Sequence, residues 1–162
     1  MDKGGKSFPD TTKEITMAKL TEESVREAFK PHLRDGEELT HFALGVKQPN
    51  IGIIVLLVML AVLPGIIGVF LLTKNYCIGL TNQRLIVLQV ASLGNLTVKG
   101  ITEYSLEELA KMDIRTSTGG LFTHFNIKDA GKPFQAKFHR ALAKFNRPNA
   151  MAIAEAITQK AA

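Results

Sequence analysis

The stretch Tyr76-Cys-Ile-Gly-Leu-Thr-Asn-Gln-Arg-Leu-Ile-Val-Leu-Gln-Val90 holds two strands joined by a turn. Tyr76, Ile78 and Leu80 alternate with other residues, the two-residue period of a strand with one buried face. Asn82-Gln83 breaks the pattern, and Leu85-Ile86-Val87-Leu88 resumes it. The spacing predicts a hairpin turning at Asn82-Gln83. Its second strand, Arg84–Val90, is apolar on both faces. It is therefore buried on both sides or touches a partner or a bilayer.

Outward from this hairpin the strand period continues. On the N-terminal side, Phe42, Leu44 and Val46 make Glu38–Lys47 a strand with one apolar face. On the C-terminal side, Gly94-Asn95 is a turn, and Thr97–Ser105 alternates imperfectly through Val98, Ile101 and Tyr104, with a bulge expected at Gly100. Leu109–Ser117 follows, placing Leu109, Met112 and Ile114 toward a core. Gly119-Gly120 turns the chain, and Leu121, Thr123, Phe125 and Ile127 line one face of the next strand. After Ala130-Gly131-Lys132, Phe134, Ala136 and Phe138 face inward, with Gln135, Lys137 and His139 on the other register. The period then becomes helical. Asn146 is the expected N-cap, Pro148 sits in the first turn, and Ala150, Ile153, Ala154 and Ile157 form one stripe. Seven strands and a C-terminal helix predict a mainly β (α+β) fold, a small barrel or strongly bent two-sheet stack capped by that helix.

Ahead of the first strand, Thr21 is an N-cap, Glu22 and Glu23 favour the positive first turn, and Leu20 can staple onto Val25. Val25, Phe29 and Leu33 make the apolar stripe of a docking helix that Pro31 ends near Lys30. Residues 1–16 read as a disordered leader. The expected plan is this leader, an N-terminal amphipathic helix over 17–35, and a domain over 36–160 interrupted by residues 51–73.

The interruption is Ile51–Leu72, 22 apolar or small residues without a charge, flanked by Lys47 and Lys74. A straight helix of that length would be about 33 Å long, enough for a hydrocarbon core of about 30 Å. The expected inserting residues are Ile51, Ile54, Leu57, Leu60, Leu63, Pro64, Gly65, Ile67, Phe70 and Leu72. Pro64-Gly65 breaks the run, which leaves two membrane forms. A kinked single span would put the flanks on opposite sides. A re-entrant hairpin with arms Ile51–Leu63 and Ile66–Thr73 would return to the same side. The soluble alternative, a buried core helix, is hard to cover in a chain of 162 residues.

Charge is uneven: residues 1–50 carry a net −1 and residues 74–162 a net +6. The excess of Lys and Arg after the run predicts a folded domain on the cytosolic side of the plasma (inner) membrane. Single, scattered basic residues, no tryptophan and no motif of that class argue against nucleic acid. One cysteine, Cys77, excludes an internal disulfide framework and fits a reducing compartment. No secretory signal is expected, since the first apolar run begins at Ile51.

Little in the sequence points to catalysis. His32, His41, His124 and His139 lack metal-ligand spacing, although His124 and His139 can be neighbours on adjacent strands. Glu107-Glu108 and Asp113 have no second carboxylate pair. Cys77 reads as a packed side chain, and the glycines make no phosphate-cradling loop. No catalytic residue, metal or cofactor is expected.

The segments Pro31-His-Leu-Arg-Asp-Gly-Glu-Glu38, Leu80-Thr-Asn-Gln-Arg-Leu-Ile86 and Tyr104-Ser-Leu-Glu-Glu-Leu109, with the Gly-Gly turn and the final helix, resemble the bacterial pleckstrin-homology (PH) domain family. The likeness covers about residues 31–159 apart from the apolar run. It implies that Glu38–Lys47 and Asn75–Leu80 are antiparallel neighbours. The run then occupies the loop between them and must leave and return on one side, with Pro64-Gly65 as its tip. Some eukaryotic relatives hold phosphoinositides with basic residues in this loop; Lys47 and Lys74 alone do not carry that over. The functional expectation is a membrane-anchored, PH-like binding module that recruits lipid or a protein partner. The alternative is a homo-oligomeric ring or coat, argued from the two-faced strand Arg84–Val90, outward-facing Phe122 and the short arms.

Overall fold

The computed structural model describes residues 20–60, 62–129 and 131–160. The expected leader at 1–16 lies outside them, as do Lys19 and Ala130. In chain order the elements are α1 (Glu22–Phe29), a single 3-10 turn (Lys30–His32), β1 (Leu39–Lys47), α2 (Ile51–Leu60), α3 (Val62–Leu72), β2 (Lys74–Thr81), β3 (Arg84–Ser92) and β4 (Asn95–Ser105). Then come α4 (Leu106–Leu109), β5 (Asp113–Thr118), β6 (Phe122–Lys128), β7 (Phe134–His139) and α5 (Asn146–Lys160). The strands form one seven-stranded sheet in the order β4-β3-β2-β1-β7-β6-β5. All neighbours are antiparallel. Strands β1 and β7 meet at the single pair Val46–Lys137, where the sheet changes from its first four strands to its last three. This is the seven-stranded architecture with a C-terminal helix expected from the sequence.

The two faces of the sheet have separate cores. Ile78, Leu85, Val87, Phe125, Phe138 and the α5 stripe of Ala150, Ile153, Ala154 and Ile157 fill one. Val25 and Phe29 of α1 pack with Phe42, Leu44, Cys77, Ile86, Leu88 and Val90 in the other, and Leu142 and Phe145 close its margin. Alternate residues of β3 thus enter different cores. Its two apolar faces are covered by this chain's own α5 and α1, so β3 offers no free face to a partner or a bilayer. Cys77 is enclosed in the second core, and burial pushes its thiol up to about 12.

Helix α1 starts as its sequence requires. The Thr21 hydroxyl accepts from the Ser24 N–H at 3.2 Å, and Ser24 Oγ accepts in return from the Thr21 N–H at 3.1 Å. Four expectations differ in detail. Leu109 is buried, but in the one-turn helix α4 and not in a strand, because the Ser105 and Glu108 side chains cap that turn reciprocally. Strand β5 accordingly begins at Asp113. Leu121 lies outside β6 and is half-exposed, while Thr123, Phe125 and Ile127 are buried. The bulge falls beside Gly100, where Gln89 pairs with Gly100 and Val90 with Val98. Asn146 does not cap α5 from outside; it is the first helical residue. Its fully buried amide accepts from Leu44 N–H at 2.6 Å and donates to the carbonyls of Leu44 and His139, both at 2.9 Å. One side chain thereby fastens α5 to β1 at a point where no neighbouring strand serves those groups.

The entry loop before β1 and the β2–β3 hairpin meet around a buried ion pair. Gly36 turns the chain with φ +74°, a conformation open to glycine at little cost. The turn delivers Glu37 to Arg84, whose Nε and Nη2 each donate to its carboxylate at 2.8 Å. The Thr81 hydroxyl donates to Glu37 at 2.7 Å, as does the Arg34 N–H at 2.9 Å. Arg84 also donates to the His32 carbonyl at 2.9 Å and pairs with Glu103. Hydrogen bonding from Arg84 holds the Glu37 carboxyl down to about 2, outweighing the opposing effect of burial. Thr81 and Arg84 in the β2–β3 hairpin therefore have a structural task. They fasten the entry loop to the sheet.

Candidate membrane-facing site

The apolar run is two helices. Helix α2 spans 10 residues and α3 spans 11, about 15 Å and 16 Å at 1.5 Å per residue. Among the described residues, no helix is long and apolar enough to cross a membrane. The chain leaves β1 at Lys47 and re-enters β2 at Lys74, and these two residues pair directly across the sheet. Exit and return are side by side, which corrects the kinked single span.

The turn is not at Pro64-Gly65. Helix α2 ends at Leu60 and α3 begins at Val62, so Pro64 falls in the first turn of α3, where backbone N–H groups have no helical partner to lose. Gly65 lies at the contact between the two helices: a Cβ built there would run into the Leu57 carbonyl oxygen. Gly68 is looser, at 3.4 Å from the Leu57 side chain. Ile54 and Leu57 of α2 are correspondingly half-buried, with Gly65 fully so. Gly65→Ala is expected to push the helices apart at a cost of about 1–3 kcal/mol, and Gly68→Ala to be nearly neutral. Thermal melts of helical circular dichroism in lipid check this; equal midpoints for the two variants would contradict the seam.

Most of the described hairpin outside that seam is bare. Of the sixteen large hydrophobic side chains left exposed among the described residues, thirteen belong to the hairpin, with Met59 82%, Leu71 81% and Leu60 78% exposed. Of the expected inserting residues, Ile51, Leu60, Ile67, Phe70 and Leu72 are exposed, as is Pro64, whereas Ile54 and Leu57 are half-buried and Gly65 is buried; the Leu63 side chain lies outside those described. At about 1 kcal/mol or more for each partly exposed side chain, the unburied apolar surface is worth roughly 10–20 kcal/mol.

A cleft of about 480 Å³ opens at the root of the hairpin, lined by residues 46–51 and 135–137. It brings Lys47 to Lys137, which are ninety residues apart in sequence, with the Gln135 and Asn50 amides beside them. Sequence reasoning placed Lys137 on the outward register of its strand and missed this meeting. The signal was the alternation Gln135, Lys137, His139, but placing it against Lys47 requires the β1–β7 junction. The expected His124–His139 neighbourhood is indirect. His124 pairs with Lys137 and His139 with Phe122. The Phe122 ring lies between the two imidazoles, with centroids 6.0 Å and 4.7 Å away. Among the described residues, no three His, Cys, Asp or Glu side chains gather into a metal-ligand set.

No protein-family model and no curated protein matches this sequence. Among solved structures, the chain is similar to the hSac2 domain from the human phosphoinositide phosphatase Sac2, with 14% identity over 85% of this chain and 79% of that one, at a TM-score of 0.45. It is also similar to a pleckstrin homology domain from Shewanella amazonensis, with 16% identity over 85% of this chain and 96% of that one, at a TM-score of 0.38.

Proposed function

We propose that this protein is a non-catalytic, PH-like binding module anchored to a membrane by its α2–α3 hairpin. Both arms enter one leaflet, and the folded domain stays on the cytosolic face of the inner membrane. The observation that carries this reading is the all-round apolar hairpin projecting from an otherwise covered domain. Arms of about 15 Å reach the middle of a hydrocarbon core of about 30 Å and no further. Their backbone groups are satisfied within helices, as lipid requires. The domain beyond the hairpin supplies the net +6 that favours the cytosolic leaflet.

Flotation of the full chain with neutral phosphatidylcholine vesicles tests the anchor. The protein rises with the vesicles if the reading holds and stays at the bottom of the gradient, free of detergent, if it does not. The exposed hairpin also favours a second reading, in which copies associate through their hairpins into a homo-oligomeric assembly. A detergent-solubilised mass of one 17.7 kDa chain plus micelle would remove it.

A further inference from the structure

We propose that β5 is an interface strand, whose open edge pairs antiparallel with the β5 of a second copy of this chain. The surface is distinct from the hairpin, although its fit to one leaflet rests on the anchored reading above.

The sheet ends at β4 on one side and at β5 on the other. Strand β4 shifts register against β3 and carries Lys99, Gly100 and Glu103, the irregularity and charge that keep an edge from pairing. Strand β5 is not blunted in this way. Its register with β6 is continuous from Asp113 to Thr118, and it holds neither glycine nor proline. Its two charges, Asp113 and Arg115, engage one another at 3.3 Å. Ile114, Thr116 and Thr118 are β-branched, which suits a paired strand. The same three residues hold the free backbone groups. The Gly119 N–H donates to the Phe122 carbonyl at 2.8 Å, so in an alternating ladder Ser117, Arg115 and Asp113 exchange bonds with β6. Ile114, Thr116 and Thr118 then turn their N–H and C=O groups outward, and among the described residues no further strand pairs with them.

The strand is complementary to itself in one register. All three outward residues find partners only when Thr116 faces Thr116 and Ile114 faces Thr118 of the other copy. Arg115 then stands opposite Ser117. A shift toward the start of the strand sets Arg115 against Arg115, and like charges directly opposite destabilise a sheet. A further shift needs the Met112 N–H, which already donates to the Leu109 carbonyl at 3.2 Å. A shift toward the end of the strand leaves Ile114 without a partner. The favoured pairing has its two-fold axis perpendicular to the sheet, so both copies show the same face on the same side. Arg115 and Ser117 share a cleft with Gln135, and Gln135 also lines the root of the hairpin. Both hairpins then leave on one side, as a single leaflet requires. One strand pair is a small contact, but confinement to a common surface raises the effective concentration of the two copies.

The test cross-links the purified full chain on phosphatidylcholine vesicles with copper phenanthroline as oxidant. Arg115→Cys and Ser117→Cys chains are studied alone and as a mixture, since the two positions form a close, non-hydrogen-bonded pair whose spacing suits a disulfide. The mixture is expected to give a disulfide-linked dimer on a non-reducing gel, and each variant alone to give little. An equal yield from either variant alone would mean another register and would overturn the arrangement. Adding Thr116→Pro to both chains removes an outward N–H without costing a bond to β6, and is expected to abolish the dimer. Thr116→Ala keeps that N–H and keeps the dimer. A dimer that survives the proline comes from chance collision and would overturn the pairing. No dimer from the mixture, in protein that floats with the vesicles, would overturn the pairing and leave the anchor intact. A dimer with this pattern in protein that does not float would sustain the pairing and remove the anchor.

Discussion

Leu60→Arg/Val62→Arg is expected to release the protein from membranes. Both residues are among the most exposed of the hairpin, at 78% and 62%, and they flank its turn. The turn is also the part that arms of this length carry to the bilayer centre, where an arginine costs about 2.5–3.5 kcal/mol on insertion scales. Two such charges oppose insertion by about 5–7 kcal/mol, a shift of three to five orders of magnitude in partition. The same exposure means that the domain's two cores lose no contact. The released protein should therefore keep its β-sheet circular dichroism and its cooperative unfolding. Sedimentation of vesicles checks the prediction, and a folded double variant still in the pellet would contradict it.

The second large effect lies far from lipid, at the Glu37–Arg84 pair. Removing one partner of a buried ion pair leaves the other uncompensated and costs about 3–5 kcal/mol. Glu37→Gln belongs near the lower end, because Glu103 still faces Arg84. Arg84→Met should cost more, because the Glu37 carboxylate is fully covered and loses both of its bonds to the guanidinium. Glu37→Leu/Arg84→Met should be milder than the sum of the single changes, since an apolar pair strands no charge. Chemical denaturation of the four proteins measures the coupling; additive losses would mean that the pair does not act as a unit.

The same pair fixes the sign of an acid effect. The folded Glu37 carboxyl is held at about 2, below its ordinary 4.5. A carboxyl with a depressed value stabilises the fold fully above its unfolded value, and that contribution is lost as pH falls through the folded one. Stability should decline from about pH 4.5 toward pH 2, and Glu37→Gln should remove that part of the decline.

What the sequence made legible was local. The two-residue period and the Asn82-Gln83 break located the β2–β3 hairpin, and Thr21 located the start of α1. The apolar faces of β3 were legible too, but not their covers. One comes from a helix sixty residues earlier and the other from the C-terminal helix. Asn146 was misread for a related reason. A polar residue at a helix start usually serves its own helix, whereas this one serves the unpaired backbone of β1. Pro64-Gly65 reads as a turn in the sequence because both residues break helices in isolation. In the folded hairpin the proline is harmless in a first turn, and the glycine is required by the close approach to Leu57. Lys137 escaped because its neighbour Lys47 is brought to it by a single pair of residues at the sheet's corner. Glu37 and Arg84 do carry a signal in the sequence: an acid after a glycine turn and an arginine at the start of a strand otherwise apolar on both faces are natural complements.

The tip of the α2–α3 hairpin is expected to lie deep in lipid, and its depth can be measured. A cysteine introduced as Leu60→Cys can be labelled with an environment-sensitive fluorophore in the otherwise native chain, because Cys77 is enclosed and its thiol is raised to about 12. In vesicles containing lipids brominated at defined acyl positions, the expected result is blue-shifted emission quenched most strongly by bromines near the bilayer centre. Water-like emission that ignores the position of the bromines, from protein that remains folded and associated with the vesicles, would contradict it.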